Sequence, residues 1–127
     1  MIGRHDEAHE NTSNYVYVIG SDRLSTDLDK IVKEQNQKYL NLDLDYKYND
    51  INHPEQFYYR SDHYNFAKNG VPAVFFFSGI HEDYHKPGDD PEKIEYDALA
   101  KRAQLAFVIA WELAMRDTLL TIDRNGK

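Results

Sequence analysis

One histidine in an acidic loop has the type and position to take part in metal chemistry. The apolar run 71–77 is typical of a strand that is covered on both faces. His85 lies in the loop that follows, after Tyr84 and before the acidic pair Asp89 and Asp90. Ligands of open α/β sheets bind beyond the carboxyl ends of the strands, and neutral imidazole is a common zinc ligand. A catalytic zinc needs about three protein ligands, however, so spacing alone favours an ordinary surface histidine.

The other histidines give weaker signals. Residues 5–9 read His-Asp-Glu-Ala-His and so contain a helicase-like string, but the chain has no Gly-Lys-Ser/Thr phosphate loop. Their glutamate lies at neither position that helical zinc proteases use, so a solvated loop is expected there. His63 is ambiguous, and His53 has no evident role. The triplet 81–83 is expected to be a charged, mobile loop.

Composition excludes several classes of protein. The 127 residues suit a single domain, and a net charge of −7 argues against nonspecific nucleic-acid binding. The chain contains no cysteine, so neither a disulfide nor a thiolate metal site is possible. No apolar run approaches the roughly 18 residues of a membrane-spanning helix, and no signal peptide precedes the fold. The compartment is left open.

Hydrophobic periodicity predicts an α/β fold with a mixed sheet. The last predicted helix has an apolar stripe, and its other apolar residues suggest that it is covered on more than one side. The predicted elements are a possible strand over 1–4, a strand over 14–19, a helix capped by Ser25 or Thr26, an edge strand over 42–48, a short helix over 61–68, a strand over 71–77 and a helix over 97–116. The predicted stripe is Leu99, Ala103, Ala106, Phe107, Ala110, Leu113 and Ala114.

The predicted elements need more packing partners than the chain supplies. A strand and a helix that are both suited to burial on several sides require more than three short helices around them. We therefore expect residues 1–127 to be the C-terminal portion of a larger layered domain. Uncovered sheet edges and apolar faces tend to find partners, so self-association or domain swapping is expected.

Several short motifs together match a known family. They are Arg60-Ser61-Asp62-His63, Phe66, Gly70-Val71-Pro72 and Tyr84-His85, with the opening Met1-Ile2-Gly3-Arg4 and the final helix. In this order they resemble the di-zinc exopeptidases, a superfamily that includes bacterial leucyl aminopeptidases, glutamate carboxypeptidases and, more distantly, glutaminyl cyclases. The resemblance covers most of the chain. It implies part of a three-layer α/β/α sandwich and two zinc ions about 3.5–4 Å apart.

The resemblance also implies roles for individual residues. His85 is similar to the last zinc ligand of the family, and Tyr84 is similar to the phenol that stabilises the tetrahedral oxyanion. Arg60, Ser61 and Asp62 resemble the rim of the pocket near the amino end of the substrate. Tyr84 also favours the peptidases over the cyclases, which usually carry tryptophan there. The other histidine, the bridging aspartate, the further acidic ligands and the catalytic glutamate have no counterpart in this sequence.

Three hypotheses for function follow. The first is the C-terminal part of a zinc-dependent exopeptidase, most simply an aminopeptidase, with a peptide substrate and no activity in this portion alone. By resemblance, the parent enzyme is secreted or periplasmic. The second is a non-catalytic α/β module that serves protein association. The third is a portion of a glutaminyl cyclase-like enzyme. The sequence leaves the preferred side chain, the metal and the oligomeric state open.

Overall fold

Strands and helices alternate along residues 1–126, the part of the chain that the computed structural model describes. The α/β fold that the sequence predicts is confirmed, because three strands and three α-helices form within these residues. The strands are β1 (Tyr15–Ile19), β2 (Asp43–Asp45) and β3 (Phe75–Phe77), and the helices are α1 (Thr26–Tyr39), α2 (His63–Ala67) and α3 (Tyr96–Met115). None of the helices in this part of the chain is long and apolar enough to cross a membrane.

The sheet is mixed, and β1 is its central strand. β1 pairs in parallel with β2, with Val16 opposite Leu44, and antiparallel with β3, with Val18 opposite Phe76. All five residues of β1 are buried, as a central strand with both faces covered requires. β2 lies at one edge of the sheet, as predicted.

Different layers cover the two faces of the sheet. On one face, α1 and α3 pack against Val16 and Val18 through apolar side chains such as Val32 and Leu105. On the other face, Tyr15, Tyr17, Ile19 and Phe77 pack against the segment between β2 and α2. We refer to this second face, which carries α2, as the aromatic face. The layers are consistent with part of an α/β/α sandwich.

Local chemistry determines where two elements begin and end. Ser25 caps α1 as predicted, since its hydroxyl accepts a hydrogen bond from the Leu28 N–H at 3.3 Å. The predicted strand over 42–48 ends at Asp45, where the carboxylate accepts from the Lys47 N–H at 2.7 Å and the chain turns into a short 3₁₀ helix. A turn-forming aspartate therefore overrides the alternating pattern.

The buried side of α3 differs from the predicted stripe. Ala98, Arg102, Leu105 and Ile109 are its buried residues, whereas Phe107, which the stripe included, is 64% exposed. The predicted stripe is therefore wrong. The helix is apolar on two sides, and the pattern could not show that a buried arginine lies on the side that packs against the sheet.

The strand predicted at the start of the chain is also wrong, and the other end of the chain packs against the fold. Residues 1–4 form no strand, although the Met1 carbonyl accepts a hydrogen bond from the Ser78 N–H at 2.9 Å. A single such bond does not establish a ladder. The tail after Leu120 packs back onto the start of α1, where Asp123 accepts a hydrogen bond from the Thr26 N–H at 2.9 Å. The Gly126 N–H donates to the Arg23 carbonyl at 2.9 Å.

Candidate metal and substrate site

Ion pairs hold the loop that follows β3. Arg4 lies 3.1 Å from the Asp83 carboxylate, and Lys93 lies 2.9 Å from the same group. The hydrogen bond from Lys93 holds the pKa of Asp83 below its ordinary value. Arg4 is also within 3.8 Å of Asp89. The triplet 81–83 is therefore part of a charged loop, as predicted, and ion pairs join it to neighbouring segments.

His85 lies on this loop and points an open imidazole toward solvent. It is exposed, and its backbone is in the left-handed region with φ +57°. Its ring centroid lies 4.1 Å from that of Tyr84. Within residues 1–126, neither ring nitrogen has a hydrogen-bond or ion-pair partner. The imidazole is therefore available to an external ligand.

Tyr84 connects the loop to the exit of β3. Its ring packs edge-on against Phe77, the last residue of β3, with 5.9 Å between centroids. The Tyr84 N–H donates to the His81 carbonyl at 3.0 Å. The side chain is half-buried, and its hydroxyl has no hydrogen-bond partner among the residues that the structure describes. A free phenol next to an open imidazole can donate a hydrogen bond to a ligand held there.

A buried carboxylate lies beside the same end of β3. Asp6 is only 6% exposed and accepts a hydrogen bond from the Tyr17 hydroxyl at 2.7 Å, and the Tyr15 hydroxyl oxygen lies 3.3 Å from the same carboxylate. The His9 Nδ1 lies 2.8 Å from it, and the imidazole stacks on the Tyr15 ring. Burial and the adjacent Asp6 carboxylate raise the pKa of Tyr17. The expectation of a solvated loop at residues 5–9 is therefore wrong.

The sequence contained a signal for this network. β1 is covered on both faces, yet it carries Tyr15 and Tyr17, whose buried hydroxyl groups need partners. The Tyr15 hydroxyl also donates to the Ser78 carbonyl at 2.5 Å, which anchors the exit of β3. Gly79 follows with φ +94°, and a Cβ there would overlap the Asp6 carboxylate. The network therefore fixes the path of the chain into the His85 loop.

The Arg60–Asp62 segment lies on the aromatic face of the sheet. Arg60 forms a 2.7 Å ion pair with Glu55, and its guanidinium lies over the Phe57 ring. Ser61 and Asp62 lead into α2, and their carbonyls accept bonds from the N–H groups of Tyr64 and Asn65. The Asp62 side chain is exposed and forms no salt bridge within residues 1–126.

A series of rings connects the two predicted parts of the site without bringing them into contact. His63 stacks on Phe75 at 5.1 Å, Phe75 lies 5.7 Å from Phe77, and Phe77 packs on Tyr84. His63 therefore packs on an aromatic ring. No hydrogen bond or ion pair joins Arg60, Ser61 or Asp62 to Tyr84 or His85 among the described residues. The roles of these five residues stay predictions.

Residues 1–126 do not form a complete metal site. They contain no group of three or more histidine, cysteine, aspartate or glutamate side chains placed to hold a metal ion. His85 by itself suits one ligand, because its nitrogens are open and its loop is held in place. Zinc requires about three or four ligands, so the donor set of this chain does not fit a zinc site on its own.

Burial of His63 leads to a pH-dependent stability. Burial lowers the pKa of His63, so the unfolded chain binds this proton more readily than the folded chain does. The contribution of neutral His63 to the free energy of unfolding is therefore fully present above the ordinary histidine pKa of about 6.5. It is lost as the pH drops through that value. We expect the midpoint of urea unfolding to decrease when the pH is lowered from about 7.5 to about 5.5. The decrease is expected to be smaller in His63→Phe, which keeps the stack on Phe75.

His53→Phe is the matched control for this prediction. His53 contacts the Tyr48 ring from a loop, and its replacement tests whether the change in acid dependence is specific to His63. His81, whose pKa is also lowered by burial, accounts for a residual acid effect in His63→Phe. An unchanged acid dependence in His63→Phe would contradict the assignment.

Comparisons with known proteins identify one related family. The family model described as Peptidase family M28 matches residues 6–110 of the chain. No curated protein and no solved structure gives a significant match. The matched range includes the buried Asp6, the Arg60–Asp62 segment and both Tyr84 and His85.

Proposed function

The chain belongs to peptidase family M28, and from this membership we propose that it forms the C-terminal portion of a zinc-dependent exopeptidase domain, of the aminopeptidase type. His85 supplies one zinc ligand, and the remaining ligands and the general base come from polypeptide outside residues 1–126. The observation that carries the proposal is the open imidazole of His85 beside the free hydroxyl of Tyr84, at the exit of a sheet strand.

The backbone of His85 supports a ligand role. A non-glycine residue in the left-handed region is uncommon, and such conformations concentrate at ligand-binding and active sites. The imidazole packs against the Tyr84 ring, with 4.1 Å between the ring centroids, and this contact restrains its orientation. The ion pairs of Asp83 with Arg4 and Lys93 hold the loop in place, so little ordering is needed when a ligand binds.

Tyr84 is suited to stabilise developing negative charge. Packing against Phe77 restrains the ring, while the hydroxyl stays free to donate. A restrained donor that is aimed at an oxyanion lowers the barrier of acyl transfer, because no reorganisation is needed during the reaction. In the proposed enzyme, Tyr84 donates to the oxygen of the tetrahedral intermediate.

The charges of the Arg60–Asp62 segment favour an aminopeptidase. The Glu55 carboxylate already neutralises the Arg60 guanidinium, whereas the exposed Asp62 carboxylate has no salt bridge within the described residues. An unpaired carboxylate at a pocket rim attracts the ammonium group of a peptide N-terminus and repels a C-terminal carboxylate. We therefore assign the amino end of the substrate to this rim.

Zinc content and hydrolysis test the proposal. The 127-residue chain and the product of the complete reading frame that encodes it are compared by metal analysis and with leucine p-nitroanilide. In an enzyme with the full ligand set, we expect about two zinc ions per molecule and hydrolysis of the substrate. In the 127-residue chain, we expect less than about one zinc ion per molecule and no hydrolysis. Stoichiometric zinc with hydrolysis by the 127-residue chain would contradict the proposal, as would cyclisation of a glutaminyl peptide by the full product.

A further inference from the structure

The loop that carries Tyr84 and His85 has little apolar packing of its own. None of residues 81–90, all of which the structure describes, is buried. Successive turns define the path of the backbone, and one of them carries both residues, because the Lys86 N–H donates to the Asp83 carbonyl at 2.8 Å. Such turns set the local shape of a loop. Its attachment to the fold depends on side chains.

Arg4 attaches this loop on both sides of His85. The guanidinium lies 3.1 Å from the carboxylate of Asp83, which precedes His85, and 3.8 Å from that of Asp89, which follows it. The two arms of the loop also meet closely at this point, since a Cβ at Gly88 would lie 3.1 Å from the Asp83 carboxylate. His85 therefore lies within a segment whose two ends are held by one side chain.

The backbone at Arg4 is itself held in place by α3 and its N-cap residue, Glu95. Arg102 Nη1 donates to the Ile2 and Arg4 carbonyls at 2.8 and 2.9 Å. The Glu95 N–H donates to the Gly3 carbonyl at 2.8 Å. Because this backbone is already ordered, Arg4 loses less conformational entropy in forming its ion pairs than an arginine on a mobile segment does.

Burial distinguishes the Arg4–Asp83 pair from an ordinary surface ion pair. The two side chains are only 16% and 14% exposed, whereas Lys93, the other cation on Asp83, is 43% exposed. Water and salt screen exposed pairs, which contribute little to stability, and they screen partly buried pairs less. We therefore expect the loop to depend more on Arg4 than on Lys93.

The balance of charge also makes the loop dependent on Arg4. The guanidinium is within 4 Å of three carboxylates, those of Glu82, Asp83 and Asp89. Within residues 1–126, Lys93 forms a salt bridge with Asp83 alone. Without Arg4, the repulsion between the carboxylates would be opposed by Lys93 only. Arginine suits this position because its five donors reach several acceptors at once, whereas lysine is a point charge.

We propose that Arg4 is a positioning residue that holds Tyr84 and His85 in place at the exit of β3. It acts on them through Asp83 and Asp89. The consequence for the enzyme rests on the proposed function, because a ligand and a donor that are already ordered need little reorganisation when they act. The order of the loop in this chain does not rest on it, so the two claims can fail separately.

Backbone nitrogen relaxation, measured by NMR on the 127-residue chain, tests the positioning role. We expect order parameters at Tyr84 and His85 above about 0.8 in the unmodified chain and below about 0.6 in Arg4→Met, with those of β1 unchanged. Arg4→Lys keeps the charge but not the fork, so it is expected to restore part of the lost order. Lys33→Met is the matched control, because it removes a 2.6 Å ion pair with Asp29 on α1.

Zinc affinity of the complete enzyme gives a second readout. Loss of a residue that supports a metal ligand weakens metal binding by about 10- to 100-fold, and Arg4 acts one step further from the metal. We therefore expect the zinc dissociation constant to rise by about tenfold in Arg4→Met and by less in Arg4→Lys. Lys93→Met removes the more exposed cation, and in both experiments it is expected to have a smaller effect in the same direction.

Several results would overturn the proposal. Order parameters that stay high in a folded Arg4→Met would show that the packing of Tyr84 on Phe77 holds the loop by itself. If circular dichroism shows that Arg4→Met is unfolded, unchanged order in Lys93→Met counts in the same way. Loss of order that extends to β1, or that Arg4→Lys does not reduce, would give Arg4 a general structural role. Loss of order with unchanged zinc affinity would remove its role in the site.

Failure of the proposed function gives a different result. A complete enzyme that binds no zinc in its unmodified form would contradict that function. The order parameters of Tyr84 and His85 in the 127-residue chain would still decide whether Arg4 holds the loop.

Discussion

Replacing Arg102 with methionine is expected to lower the free energy of unfolding by about 3–5 kcal/mol. Arg102 is 1% exposed, and all of its hydrogen-bond acceptors are backbone carbonyls. Nε donates to Tyr15 at 2.8 Å, and Nη1 donates to Ile2 and Arg4 at 2.8 and 2.9 Å. Nη2 donates to Ser13 at 3.1 Å. One side chain of α3 therefore ties both ends of the N-terminal segment to the start of β1.

The loss is large because methionine fills the volume but cannot donate hydrogen bonds. Four backbone carbonyls, one buried and three partly buried, lose their partner, and an unsatisfied buried polar group costs about 1–3 kcal/mol. Part of this cost is offset because the guanidinium no longer has to be buried. Burial lowers the pKa of Arg102, which is the sign of that penalty. Lysine is not an equivalent replacement, since it lacks the planar fork that reaches several carbonyls.

Urea denaturation of Arg102→Met and Lys101→Met measures this effect. Lys101 is the neighbouring residue on the exposed side of α3, and its replacement is expected to change stability by less than about 0.5 kcal/mol. Arg102→Met is also expected to increase amide exchange in residues 2–13, because the segment loses its anchor. A change below about 1 kcal/mol in Arg102→Met would show that the carbonyls find other partners.

Replacing His85 with alanine in the complete enzyme is expected to lower kcat/KM by more than about 100-fold. Removing a group that only supports a metal ligand already costs 10- to 100-fold, so loss of a ligand itself must cost more. Zinc content is expected to fall with activity, while the unfolding midpoint of the metal-free variant stays near that of the metal-free parent, because His85 is exposed. His53→Ala is the matched control, and it is expected to leave both zinc and activity unchanged.

Tyr84→Phe separates the two roles that we assign to this loop. The phenyl ring keeps its packing on Phe77 and His85, so zinc content is expected to be unchanged. The missing hydroxyl is expected to lower kcat by about 10²–10³-fold with little change in KM, because the hydrogen bond forms only in the transition state. If Tyr84→Phe lost as much zinc as His85→Ala, the role of Tyr84 would instead be to position His85. Full activity in His85→Ala would contradict its role as a ligand.

Local sequence patterns predicted the elements with strong signals. β1 and α1 followed from dense β-branched and aromatic residues and from the Ser25 cap. The side of α3 that packs could not be read from its pattern, because apolar residues surround the helix and the buried stripe contains Arg102. Burial of that arginine depends on carbonyls that are distant in sequence. No periodicity encodes such a contact.

The candidate site was predictable only in part. In the sequence, a polar loop follows an apolar strand, and this pattern predicted that Tyr84 and His85 lie near the exit of β3. The packing of Tyr84 on Phe77 agrees with that position. The Asp6 network was missed because a carboxylate between two histidines is typical of a solvated loop. Its burial depends on Tyr15 and Tyr17 reaching it from β1, and no local pattern reports that contact.

The position of bound zinc relative to His85 tests the central claim most directly. Anomalous diffraction at the zinc edge, on crystals of the complete enzyme, locates the metal without reference to activity. We predict a zinc ion about 2.0–2.1 Å from one imidazole nitrogen of His85, with the Tyr84 hydroxyl facing the same cavity. Zinc bound by other residues, with His85 still facing solvent, would contradict the claim.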